Sequence, residues 1–262
     1  MITCFTVQTP DGISWYCERQ GDNGPNLVLI PSGEGDCFSF RKTAAALADR
    51  YQVLTFDMPG MSHTSAPESC YQSVTAQRLA DQVVSLMDQL HIPTATFYGC
   101  SSGGATVLAL VANHPTRVQS GIVHEVPYTV PGMLAGLLDL SDSEIVETCG
   151  RIFSSDLCED RAAFDALGEE YQSRLNGNYV TWVRNYDGTV PASLTFADED
   201  LKRRPLTWTL GALTPTGAFF ANVGVAQRLG VTIRLLPSKH FPQITIPEQL
   251  AEHIAESAST FL

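Results

Sequence analysis

Residues 95–113 hold the feature that most restricts what this chain can become. An apolar run, ATFYG at 95–99, passes straight into Gly99-Cys100-Ser101-Ser102-Gly103, and an apolar helical stretch follows over 102–113. A short continuous apolar run reads as a strand buried on both faces. A strand that becomes a helix through a serine flanked by small residues needs a sharp, strained bend. Such a bend lifts the serine hydroxyl above the carboxyl edge of the sheet, where open α/β sheets bind ligands. The free N–H groups that open the helix point to the same place and favour developing negative charge.

The rest of the chain supplies the sheet this bend requires. Residues 2–8 and 13–19 alternate as two strands joined at Pro10-Asp11-Gly12. Runs 26–31 and 51–57 read as buried strands, 118–123 and 206–210 as further ones, and 231–236 as the last. Helices are expected over 40–49, 73–91, 102–113 and 215–229, and from Pro247 to the end, with Leu250, Ile254, Ala258 and Phe261 on one face. Strands and helices in alternation imply a mostly parallel sheet with right-handed crossovers. Residues 128–196 break the rhythm with amphipathic stretches at 142–154 and 161–175, the first opened by a capping box at Ser141-x-x-Glu144. The expected organisation is a core of 1–127 and 197–262 with a helical cap at 128–196 inserted between its parts.

A net charge of −12, spread along the sequence, argues against a nucleic-acid partner. Seven irregularly spaced cysteines without a CxxC pair read as free thiols in a reducing compartment. No signal peptide and no apolar run of membrane-spanning length is evident, so a cytoplasmic protein without a membrane partner is expected. A homodimer is an open option.

A serine needs a base. Of the six histidines, only His240, in Ser238-Lys239-His240-Phe241-Pro242, follows the last strand late in the chain, as the order serine, acid, histidine demands. The loop after the penultimate strand, 211–216, holds no carboxylate. The next candidate is Glu125, one strand earlier, expected to orient His240. Asp139, Asp142 and Asp57 are its rivals, although Asp57 more simply ties down its own turn, Asp57-Met58-Pro59-Gly60. Ser102 is an alternative attacker, but the motif centres on Ser101. Backbone N–H groups of Ser102 and Gly33 are the expected oxyanion donors, Gly33 lying in the loop after residues 26–31 where a glycine lets backbone approach a carbonyl.

The sequence also resembles a known family nearly end to end. TPDGISWY (9–16), TFDMPGMS (55–62), YGCSSG (98–103), HEVP (124–127), the Trp182 and Tyr186 pair, PLTWTLGALTPTGAFF (205–220) and KHFP (239–242) are similar to fungal zearalenone lactonases of the α/β-hydrolase superfamily. The resemblance implies an α/β-hydrolase fold with a helical cap, the triad Ser101, Glu125 and His240, and oxyanion donors at Gly33 and Ser102. It implies that Trp182 and Tyr186 line a substrate pocket, where the residues alone would make Trp182 a core aromatic of the cap. Ser32, Pro127 and Phe241 are further expected substrate contacts. The sequence departs from the family at Ser32, where the family has Asp, and across a divergent 130–170.

The expected reaction is hydrolysis of a macrocyclic resorcylic lactone such as zearalenone through an acyl-serine, with no cofactor or metal needed. A carboxylesterase, a C–C bond hydrolase on the same triad, or a hydrolase-like small-molecule receptor are the alternatives.

Overall fold

The computed structural model describes residues 1–128, 134, 136–215 and 217–261. Eight strands form one sheet: β1 (Ile2–Gln8), β2 (Ser14–Gln20), β3 (Asn26–Ile30), β4 (Gln52–Phe56), β5 (Ala95–Cys100), β6 (Val118–His124), β7 (Leu206–Gly211) and β8 (Ile233–Leu236). Their order is β1-β2-β4-β3-β5-β6-β7-β8. The pairs β1–β2 and β2–β4 are antiparallel, and every pair from β4 to β8 is parallel. Central strands β3, β5 and β6 are buried along nearly their whole length, as strands covered by helices on both faces must be.

The chain steps from β3 outward to β4, then returns to β5 on the other side of β3. Loops leaving β3 and β5 therefore diverge at their carboxyl ends and leave a crevice between them. The loop carrying Gly33 leaves β3, and Ser101 leaves β5. Both expected site elements thus flank the reversal point of the sheet.

Helices α1 (Arg41–Leu47), α2 (Ala76–Gln89) and α3 (Ser102–Asn113) cover the sheet. Leu79, Val83 and Leu86 form the buried stripe of α2, and Thr75 caps it by accepting from Arg78 N–H. Helix α3 is buried from Ser102 to Ala112, which explains its apolar character all round.

Between β6 and β7 the described residues hold helices only: α4 (Asp142–Arg151), α5 (Arg161–Asp165), α6 (Glu169–Asn185) and shorter turns. The capping box at Ser141 and Glu144 is formed as read. Two boundaries differ. The stretch 142–154 ends its α-helix at Arg151 and continues as a wider π turn, Ile152–Asp156. The stretch 161–175 is two helices, because Gly168 adopts φ 91° and starts α6 in a new direction. Residues 129–133 and 135 of the expected cap lie outside the described residues.

Two further corrections concern the C-terminal part. Helix α7 (Phe220–Leu229) begins five residues later than expected at 215, after the turns that follow Pro215. Helix α8 (Pro247–Ser259) stops before Phe261, which is 40% exposed and so leaves the apolar stripe. All seven cysteines are free. No described helix is long and apolar enough to cross a membrane.

Candidate active site

Ser101 occupies the bend between β5 and α3 with φ 53° and ψ −121°. L side chains rarely adopt such angles, and they persist only where the surroundings force them. The forcing contacts are local. Ser101 N–H donates to the His124 carbonyl at 2.9 Å, and Ala105 N–H donates back to the Ser101 carbonyl. The second glycine of the motif is a packing requirement: a Cβ on Gly103 would stand 2.4 Å from the Ile30 carbonyl oxygen.

Glu125 follows β6 and is likewise held at positive φ, 46°. Its Oε2 faces His240 Nδ1 at 2.6 Å. Its Oε1 accepts from Gly211 N–H at 2.8 Å and from the Thr214 hydroxyl at 2.6 Å. Burial alone would push this carboxyl up. The His240 hydrogen bond, the charges of His124 and His240, and the Thr214 hydroxyl outweigh burial and hold it at about 2. The group is therefore a carboxylate at neutral pH. It fixes the histidine tautomer with the proton on Nδ1, which leaves Nε2 as the ring's acceptor.

His240 is clamped on every side. Its backbone N–H donates to the Leu157 carbonyl at 3.1 Å, and its carbonyl accepts from Cys100 Sγ at 3.0 Å. Phe219 stacks on the imidazole with centroids 4.9 Å apart and planes 9° from parallel. Phe241 meets the ring edge-on at 5.0 Å. The neighbouring His124 is different: burial pushes it down to about 4, and it spans Thr209 Oγ1 and the Lys239 carbonyl as a neutral ring.

Ser101 and His240 border one narrow cleft, with about 30 Å³ of enclosed space, together with Ser32, Gly33, Ser102 and Pro127. Ser102 opens α3, so its N–H has no carbonyl a turn earlier in the helix to bind. Gly33 lies under the indole of Trp182: a Cβ there would stand 2.6 Å from Nε1. The opposite wall is Leu134, Phe153, Leu157, Trp182, Asp187 and Pro191, all from the helical block. The Trp182 indole N–H is buried with no hydrogen-bond partner among the described residues. A donor left unpaired at a cleft wall is available to a bound acceptor.

Two expected substrate contacts are not on this wall. Tyr186 is buried and donates its hydroxyl to the Pro59 carbonyl at 2.7 Å, which ties the helical block to the core. Phe241 packs behind the histidine, stacked on Phe153 at 5.5 Å. The rival acids are also elsewhere. Asp139 is exposed, and Asp142 pairs with Arg184 at the surface. Asp57 accepts from the N–H of His63, six residues on in its own loop, and from that of Cys37, which ties this loop to the one after β3.

Asp36, Asp57 and His63 lie within reach of one another, a spacing that invites a test for a metal site. Their atoms are already engaged. Asp36 holds Arg174 and the Ser62 hydroxyl at 2.7 Å each, and Asp57 Oδ2 faces His63 Nδ1 at 2.9 Å. A guanidinium in place of a cation makes this a junction between α6 and the core.

Several partners escaped the sequence reading. Thr214 and Gly211 serve Glu125 from the loop that lacked a carboxylate. A hydroxyl and a bare amide there were the signal that the loop receives an acid from elsewhere. Phe219 and Leu157 steady His240 from other elements and left no local signal.

The chain is similar to known proteins in sequence and in fold. A family model described as the alpha/beta hydrolase fold matches residues 25–194. A zearalenone hydrolase from Cladophialophora bantiana is 44% identical over 259 residues, covering 98% of this chain and 97% of that protein. A zearalenone hydrolase from Bionectria ochroleuca is 41% identical over 265 residues, covering 100% of both. Among solved structures, the enol-lactonase from Burkholderia xenovorans LB400 superimposes with a TM-score of 0.75 over 97% of this chain and 100% of its own, at 19% identity, a likeness of fold alone.

Proposed function

The chain belongs to the zearalenone hydrolase family of α/β hydrolases, and we propose that it opens the ester bond of a macrocyclic resorcylic lactone such as zearalenone, with Ser101, Glu125 and His240 as its triad. The observation that carries this reading is the fixed histidine. With Nδ1 committed to Glu125 at 2.6 Å, only Nε2 can take a proton, and His240 shares its cleft with Ser101.

The chemistry then runs in two halves. Ser101 Oγ attacks the lactone carbonyl while His240 Nε2 removes its proton, and the imidazolium is stabilised by the Glu125 carboxylate. The carbonyl π pair moves onto oxygen, facing the N–H groups of Gly33 and Ser102. Each such donor is worth about 3–4 kcal/mol to the transition state. The tetrahedral centre collapses, the ring C–O bond breaks, and the departing alkoxide takes the proton from His240. Because the substrate is cyclic, the leaving alcohol stays attached to the acyl-serine. A water deprotonated by His240 repeats the sequence, and a hydroxy acid leaves. A strained nucleophile bend keeps Oγ presented throughout.

Residues 128–196 act as a cap in this reading, and their mostly apolar wall suits a large, weakly polar ring. Ser32 and Pro127 serve the substrate from the core side and Trp182 from the cap side. Tyr186 and Phe241 contribute by holding the cap and the base. The test is incubation with zearalenone and detection of the ring-opened acid by mass, with Ser101→Ala as control. Wild type should turn over and Ser101→Ala should not; equal inertness of the two would remove the lactonase reading.

A further inference from the structure

One buried carboxyl beside the oxyanion loop has no part in the reaction just described. Glu34 follows Gly33 and is 1% exposed. The Ser32 hydroxyl donates to its Oε2. The Ser39 hydroxyl reaches Oε1 at 3.3 Å, and Gln243 Nε2, on the short helical turn Pro242–Thr245, reaches it at 3.4 Å. All of these donors are neutral. The Glu34 carbonyl in turn accepts from Asn178 of α6 at 2.7 Å.

The titratable groups around it are Tyr98 and Cys100 from β5, Tyr171 and Tyr179 from α6, and His240 from the loop after β8. None is a lysine or arginine, and Arg174 of α6 is spent on Asp36 at 2.7 Å. An ionised carboxylate here would be desolvated and would lack a permanent counter-charge. It would also lie one residue from a donor meant to face a forming oxyanion, so the two negative charges would oppose each other.

We propose that Glu34 serves as a neutral carboxylic acid, a positioning residue that pins Ser32 and steadies the Gly33 N–H, and that its ionisation weakens the oxyanion hole. This rests on the serine-hydrolase reading above. Burial pushes the Glu34 carboxyl up from the ordinary range, against the pull of the Ser32 hydroxyl, its own backbone, His240 and Ser39. The proton lost at high pH goes to solvent, and Glu34 forms no bond to substrate.

The test is the pH profile of kcat/KM, each variant normalised to its own maximum. Wild type should fall on the alkaline side by on the order of tenfold as Glu34 ionises. Glu34→Gln, which cannot ionise, should lose that fall and keep the acid-side rise. Ser32→Ala removes a donor that favours the ionised form, so its alkaline fall should move to higher pH. This second variant carries the test alone if Glu34→Gln does not fold. An alkaline fall unchanged in Glu34→Gln, or unmoved in Ser32→Ala, overturns the proposal. Wild type inert toward lactones at every pH would instead overturn the lactonase reading, so the two failures are distinct.

Discussion

The two walls of the cleft are built on different principles. The core wall is polar, short-range and strained: Ser101 and Glu125 both sit at positive φ, and Glu125 engages three donors at 2.6 to 2.8 Å. The cap wall is mostly apolar and dispersed, with Phe153, Leu157, Trp182, Asp187 and Pro191 drawn from separate turns. Reaction chemistry needs groups fixed to fractions of an ångström, and strand ends supply that rigidity. Recognition of a bulky apolar ring needs surface, which helices supply with many interchangeable side chains. A change on the core wall should therefore act on kcat, and one on the cap wall on substrate range.

The largest effect that separates the walls is expected at Glu125. Glu125→Gln should lower kcat by roughly 10³–10⁴-fold with KM little changed, since it loses the correct tautomer and the charge that stabilises the imidazolium. Steady-state kinetics checks this, and a change confined to KM would place Glu125 outside the chemistry. The same carboxyl is lowered from 4.5 to about 2 in the fold. It adds stability that is fully present above its unfolded value and lost as pH falls toward 2. Glu125→Gln should flatten that part of the acid denaturation curve.

An intermediate effect is expected where the walls touch. In Gly33→Ala the new methyl would crowd the Trp182 indole, whose Nε1 lies 2.6 Å from the Cβ position. Indole and loop must part, so kcat/KM should fall by about 10–100-fold. Pairing it with Trp182→Phe should give less than the sum of the two losses, because one contact underlies both. Strict additivity would show that loop and cap act independently.

The smallest effect is expected at Tyr186, which binds the cap to the Pro59 carbonyl and stays out of the cleft. Tyr186→Phe should cost about 1 kcal/mol of stability, read as a lower midpoint in thermal unfolding, with kcat unchanged. A raised KM for lactones without loss of stability would return Tyr186 to the pocket wall.

The same contrast explains what could be read from the sequence. The core wall was legible because each of its groups ends a strand: Ser101 at the motif, Glu125 after β6, His240 after β8. Strand ends are marked locally by a switch from apolar run to small or polar residues. The supports were not legible, because Thr214, Phe219 and Leu157 act through contacts between distant segments. The cap was read as helical from its periodicity, but the break at Gly168 depends on a single left-handed residue. Tyr186 was placed on the cleft by resemblance and Phe241 as a further expected contact, and burial within the fold turns both away. Glu34 stands next to Gly33 in the loop after β3, and only packing against α6 makes it an interior acid.

The most direct test of the account is to acid-quench the enzyme during turnover of a macrocyclic lactone and map the adduct by peptide mass. Opening a ring on serine retains the leaving alcohol, so the Ser101 peptide should gain the full mass of the substrate, and Ser101→Ala should show neither adduct nor hydroxy acid. An adduct on another residue, or turnover by Ser101→Ala, would contradict it.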